Sequence, residues 1–114
     1  MRPFPMFSAL KRLAPAPSGV IPETARREVA EKAAVCRGIF FAARELTHQQ
    51  VYGAPLERLL ARAGDAIDDI DMVLVGLDPV RDAPTFAVAA GLQRQLEHLQ
   101  ASIADRRRRS RSIA

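Results

Sequence analysis

The chain has 114 residues, of which 17 are basic and 13 acidic, so its formal net charge is +4 and its isoelectric point about 10.2. This length leaves room for one domain, and no apolar run approaches the roughly 18 residues that a membrane span needs. The single cysteine, Cys36, excludes an intramolecular disulfide and favours a reducing compartment such as the cytoplasm.

Basic charge is concentrated at the two ends of the chain. Residues 106–114 hold five arginines and no acidic residue, whereas residues 22–105 hold all 13 acidic residues and only nine basic ones. A basic isoelectric point usually indicates a nucleic-acid surface, but the body of this chain is mildly acidic. The basic character therefore rests on appendages to the predicted domain.

Residues 1–21 are predicted to form a flexible arm. Proline recurs at positions 3, 5, 15 and 17, which prevents continuous helix or sheet there. The arm also carries apolar side chains, which pack onto the body, remain loose, or act as a short docking peptide for a partner groove or a membrane surface. These side chains are Phe4, Met6, Phe7, Leu10 and Leu13.

Three helices are predicted between residues 22 and 105. Pro22 suits the first position of a helix that spans about residues 22–50 and stops at Gly53. The second, about 55–76, has apolar residues at alternating spacings of four and three: Leu56, Leu60, Ala63, Ile67, Ile70, Leu74 and Leu77. The third, about 83–105, follows Asp82 as a candidate N-cap and carries one apolar face: Phe86, Ala89, Leu92, Leu96, Leu99 and Ile103.

The short loops between these helices predict an all-α fold, since helices joined by a few residues pack as antiparallel neighbours. We expect a three-helix, up-down-up bundle, or a helical hairpin plus one helix, with a flexible N-terminal arm and an Arg-rich C-terminal tail. The predicted organisation is arm 1–21, helical domain 22–105 and tail 106–114. Arginines packed this densely repel one another, so we expect the tail to fray into solvent.

The first helix has more apolar surface than a three-helix bundle uses. One stripe consists of Val29, Ala33, Cys36, Phe40 and Ala43, and a second of Val35, Ile39, Ala42 and Leu46. Either this helix is central in the bundle, or part of the face binds a second copy or another protein. In the second case the candidate interface residues are Ile39, Phe40, Phe41 and Leu46.

The arginine tail is the candidate polyanion site. Guanidinium groups form bidentate hydrogen bonds with phosphate oxygens, and the release of counterions supplies affinity. The alternatives are a solubilising terminus or a sorting signal. If the third helix continued through the tail, it would place the arginines on all of its sides. The candidate contacts are Arg106, Arg107, Arg108, Arg109 and Arg111.

The sequence holds no residue pattern typical of catalysis, cofactor binding or metal binding. His48 and His98 lie 50 residues apart, without companions at metal-ligand spacing. Cys36 belongs to an apolar stripe, which favours a buried, inert thiol. Aspartates at 65, 68 and 69 share one helical face, where ion pairing with Arg58 and Arg62 is a simpler account than a Mg²⁺ site.

Two functions remain open at this point. The first is a small non-enzymatic helical module, such as a regulator, adaptor or chaperone, that binds another protein through its apolar helix face and forms a homodimer. The second is a nucleic-acid-binding accessory protein that uses the arginine tail for phosphate contacts. The sequence favours the first, and we expect neither catalysis nor a cofactor.

Overall fold

Three α-helices make up the fold of the described residues. The computed structural model describes residues 21–113, with side chains up to residue 110, and most of the predicted arm lies outside the described residues. Helix α1 spans Pro22–His48, α2 spans Ala54–Leu74 and α3 spans Ala83–Ile113. No strand occurs within residues 21–113, so the predicted all-α architecture of three helices is confirmed.

Ion pairs between the helices indicate how they run relative to one another. Lys32, in the first half of α1, lies 3.8 Å from the carboxylate of Asp69 near the end of α2, so α1 and α2 are antiparallel. Arg26, near the start of α1, pairs with Asp82 immediately before α3, so α1 and α3 are parallel. Each helix also contacts the other two.

The core is built from the apolar stripes that the sequence predicts. On α1 the first stripe is buried, and Phe40 is only 1% exposed. The second stripe is divided, because Ile39 is buried and Leu46 packs at the edge of the core, whereas Val35 is exposed. The apolar residues of α2 and of α3 recur at helical spacing, and each of these helices buries one face. The core therefore lies where the three faces meet.

Helix α1 ends at His48, before the Gly53 that the sequence predicts as its stop. Gln50 has a left-handed backbone, with a φ of 61°, and the amide of Val51 donates to the carbonyl of Leu46 at 2.9 Å. This is the turn that commonly closes a helix, usually with glycine in the left-handed position. Gly53 instead precedes α2, where its carbonyl accepts hydrogen bonds from two amides in the first turn of that helix.

Helix α3 extends to Ile113 rather than ending near residue 105, which corrects the expectation that the arginine tail frays. Asp105 accepts hydrogen bonds from Arg108, at 3.0 Å, and from Arg109. An acidic residue three and four positions before two of the arginines offsets part of their mutual repulsion. Arginine also favours helix, and neither glycine nor proline interrupts residues 105–113.

Candidate functional site

The four candidate interface residues on α1 differ in where the fold places them. Ile39 and Phe40 are 6% and 1% exposed and belong to the core, and Leu46 packs against it. Phe41 alone among the four presents a large part of its side chain, 53%, to solvent. Most of the wide apolar face is therefore used within the chain, as expected for a helix that contacts both of the others.

A groove runs between the C-terminal half of α1 and α3, and we call it the basic groove. Its main part has a volume of about 460 Å³ and is lined by Arg44, Thr47, His48, Gly91, Arg94, Gln95, His98, Leu99, Ser102 and Arg106. A second part of about 530 Å³ shares His48 and Arg106 and adds Gln50, Tyr52, Arg109 and Ser110. The two parts are adjacent, because they share these two residues, and the second part reaches the loop between α1 and α2.

The lining of the basic groove contains no acidic residue. Among the described residues, Arg44, Arg94 and Arg106 form no ion pair with a carboxylate. On the other flank of α1, by contrast, Lys32 is paired with Asp69. Guanidinium groups without carboxylate partners, set against an apolar core, concentrate positive potential in the groove and attract anions.

One face of α3 supplies most of the groove, because its polar side chains recur at helical spacing. Arg94, His98, Ser102, Arg106 and Arg109 are separated by four, four, four and three residues, so they lie along one side of the helix. A rise of about 1.5 Å per residue spreads Arg94 and Arg109 over about 22 Å. The continuation of α3 past residue 105 is what brings the last two side chains onto this face.

The five candidate polyanion contacts of the tail have different surroundings. Arg106 and Arg109 line the basic groove. The guanidinium of Arg107 instead lies 6.0 Å from the centre of the Tyr52 ring, within the range of a cation–π contact. The backbone of Arg111 is part of α3, and its side chain lies outside the described residues.

The remaining tail arginine, Arg108, shares the carboxylate of Asp105 with Arg109. The hydrogen bond from Arg109 and its positive charge are the main causes that hold the pKa of Asp105 below its usual range, and Arg108 adds to them. This carboxylate therefore fixes two arginine side chains at the turn of α3 that enters the second part of the groove.

We expect the last turns of α3 to lose helicity as the pH falls, because Asp105 pairs with the arginines only when it is charged. Since its pKa is lower in the folded chain, the pair stabilises the helix at neutral pH, and the stabilisation is lost as the pH falls through that lowered pKa. The Cα chemical shifts of residues 105–113 during an acid titration measure the effect. An Asp105→Asn chain should be less helical already at neutral pH and should not lose helicity in the same way on acidification. A titration identical to that of the unmodified chain would contradict this role of Asp105.

Four basic residues of the basic groove are absent from the sequence-based candidates for polyanion contact: Arg44, His48, Arg94 and His98. The two histidines are distant in sequence, but the packing of α1 beside α3 places both in the groove lining. One signal is present in the sequence. The four-residue spacing from Arg94 through His98 and Ser102 to Arg106 marks a polar face that is continuous with the tail.

Cys36 and the acidic face of α2 have contrasting environments. The Cys36 thiol is fully buried, as predicted, and burial raises its pKa, so it is protonated at neutral pH. Asp65, Asp68 and Asp69 are exposed, and Asp69 pairs with Lys32 rather than with the arginines of its own helix. Within residues 21–110, no group of three His, Cys, Asp or Glu side chains is placed to hold a metal ion.

Comparison with known proteins identifies no relative of this chain. No protein-family model matches it, and no match was found among curated proteins or solved structures. Within the described residues, none of the helices is both long enough and apolar enough to cross a bilayer. The geometry and charge of the basic groove are therefore the basis on which a function can be proposed.

Proposed function

We propose that this chain is a small, non-enzymatic binding module that holds a nucleic-acid strand in the basic groove. The observation that carries the proposal is the convergence of Arg44, Arg94 and Arg106, from two helices, on a groove whose lining holds no acidic residue. The positive potential of such a groove attracts phosphate groups, and guanidinium groups donate paired hydrogen bonds to phosphate oxygens.

The length of the groove favours a polymer over a single phosphate group. Arg94 and Arg106, which have no carboxylate partner among the described residues, are about 18 Å apart along α3, at about 1.5 Å per residue, and one phosphate cannot reach both. Phosphates recur along a nucleic-acid strand, so several can occupy the groove together, and each contact releases counterions. Phosphate contacts carry no sequence information, so we expect binding without a strong sequence preference.

This proposal places the arginine tail in a larger site. The sequence alone makes polyanion binding one of three possible roles of a frayed tail, whereas Arg106 lines the same part of the groove as Arg44 and Arg94 of the helical body, and Arg109 lines the adjacent part. The tail and the body then act together on one ligand. The single cysteine favours a reducing compartment, so we propose that the partner is met in the cytoplasm.

The test is a fluorescence-anisotropy titration of a labelled oligonucleotide at several salt concentrations. We expect the Arg94→Gln/Arg106→Gln chain to bind at least about tenfold more weakly than the unmodified chain. The slope of log affinity against log salt should fall by about one for each phosphate contact removed. A chain that ends at Asp105 should be weakened but should retain the contribution of Arg94.

The matched control is Arg58→Gln/Arg62→Gln, which removes the same charge from exposed positions on α2. Its affinity and salt slope should stay close to those of the unmodified chain. Equal losses in the two double variants would mean that binding follows net charge rather than the groove. The absence of salt-dependent binding to any oligonucleotide would overturn the proposal.

A second candidate function, contact with another protein or with a second copy of the chain, rests on Phe41. This side chain is 53% exposed, and one turn earlier a Cβ placed on Gly38 would have no heavy atom within 4 Å, so this surface is open. A homodimer through this surface would give twice the monomer mass in light scattering. Phe41→Ser should restore the monomer mass if Phe41 forms the contact.

A further inference from the structure

Phe41 is an exposed aromatic side chain beside the basic groove. It is 53% exposed, whereas Phe40, the next residue along the chain, is 1% exposed. The other aromatic side chains of the described residues are engaged within the fold. Phe86 packs against the core, and Tyr52 packs against the core and also faces the guanidinium of Arg107.

Phe41 shares one side of α1 with three basic residues, although the acidic Glu45 lies four residues after it. Arg37, Phe41, Arg44 and His48 follow one another at spacings of four, three and four residues, so they share one side of the helix. All four are exposed, and Arg44 and His48 line the basic groove. Phe41 therefore lies one helical turn before the groove, between two guanidinium groups on the same flank.

We infer that Phe41 stacks on a nucleobase and that the basic groove therefore takes single-stranded nucleic acid in preference to duplex. This inference rests on the proposed function and extends it to the class of strand. A strand whose phosphates lie along Arg44 and Arg94 has bases within reach of the next turn of α1. In a duplex those bases are already paired and stacked, whereas an unpaired base offers its face to an aromatic ring.

The combination of a positive groove and a stacking ring is the arrangement by which proteins bind single strands without reading sequence. Every base has a π-face, so one ring suits any of them. The phosphate contacts supply affinity for strands of all kinds, and the ring supplies the difference between a strand with accessible bases and one without. These two contributions can be measured separately, because they depend on different parts of the ligand.

The first experiment compares three labelled ligands of equal length, each longer than the roughly 4–16 nucleotides that such grooves cover: a thymidine oligonucleotide, an abasic strand with the same phosphates, and a duplex. We expect the thymidine strand to bind at least about fivefold more tightly than the other two. Phe41→Leu, which keeps the residue apolar but removes the ring, should abolish this preference and leave the affinity for the abasic strand unchanged.

The second experiment uses the absence of tryptophan from the sequence. A Phe41→Trp chain carries one tryptophan, at the proposed stacking position, and its fluorescence should be quenched by the thymidine strand but not by the abasic strand. The control is Met72→Trp, since Met72 is 74% exposed on α2 and remote from the groove. Its fluorescence should respond to neither ligand.

The outcomes separate the inference from the proposed function. If no ligand binds, the proposed function fails and the inference fails with it. If all three ligands bind equally and Phe41→Trp shows no quenching, the groove binds phosphates but the stacking inference is overturned. If Phe41→Leu converts a dimer into a monomer in light scattering and leaves the ligand preference intact, Phe41 is a protein contact and the inference is again overturned.

Discussion

Replacing Phe40 with alanine is expected to lower the free energy of unfolding by about 3–5 kcal/mol. The Phe40 side chain is 1% exposed and is among the largest fully buried side chains of the described residues. Its truncation removes apolar contacts and leaves a cavity between the helices. A domain of this size is stable by roughly 5–10 kcal/mol, so the loss would be about half of the total. Urea denaturation followed by circular dichroism measures the change.

Phe41→Ala is the matched control, because it removes the same side chain from the next residue. Phe41 is 53% exposed, so its truncation should change the free energy of unfolding by less than about 1 kcal/mol. Similar losses for the two variants would contradict the orientation of α1 described above.

The difference between these two neighbours decides which substitution can test an interface on α1. A glutamate at position 40 would bury a charge in the core and unfold the chain, so the loss of a partner from such a variant would say nothing about a binding surface. A substitution at position 41 leaves the core intact. Changes in mass or in ligand affinity can then be assigned to the exposed ring.

Local periodicity is sufficient to predict the three helices and their buried faces. The apolar residues from Leu56 to Leu77 recur every three or four positions, and nearly all of them are buried. This pattern lies in consecutive residues, so it can be read without knowing what packs against the helix. For α1 the same reasoning leaves two explanations open. A wide apolar face can be covered by the two other helices of the chain or by a separate partner.

The basic groove could not be predicted in the same way, because it depends on how distant segments are paired. Arg44 and His48 meet Arg94 and His98 only because α1 and α3 lie side by side, each rotated to present its polar flank to the groove. Apolar periodicity identifies the buried face of a helix but does not specify which polar flank faces which neighbour. The tail adds a second difficulty. Composition alone suggests that repulsion between the arginines should end the helix, whereas the pairing of Asp105 with two of them offsets part of that repulsion.

The ion pair between Arg26 and Asp82 holds the starts of α1 and α3 together, and its loss is the second large effect that we expect. Arg26 Nε lies 2.5 Å from Asp82 Oδ1, and the two side chains are 47% and 6% exposed. Arg26→Leu would leave a buried carboxylate without its partner, which costs about 3–5 kcal/mol when both groups are fully buried. Because water reaches the Arg26 side, we expect a loss of about 2 kcal/mol in the free energy of unfolding.

Arg81→Leu is the control for this pair, since Arg81 is 86% exposed and lies 4.0 Å from Asp78 at the surface. Its loss should be below about 0.5 kcal/mol, and an equal loss from Arg26→Leu would contradict the buried pair. In a double-mutant cycle, the chain with both Arg26→Leu and Asp82→Asn should lose less free energy of unfolding than the sum of the two single variants, because the neutral amide needs no charged partner.

The pair joins the end of α1 opposite to the basic groove. Arg26→Leu should therefore reduce stability without weakening oligonucleotide binding while the chain remains folded. Arg94→Gln/Arg106→Gln should weaken oligonucleotide binding without reducing stability. These opposite effects distinguish residues that hold α1 beside α3 from residues that bind the ligand in the groove between them.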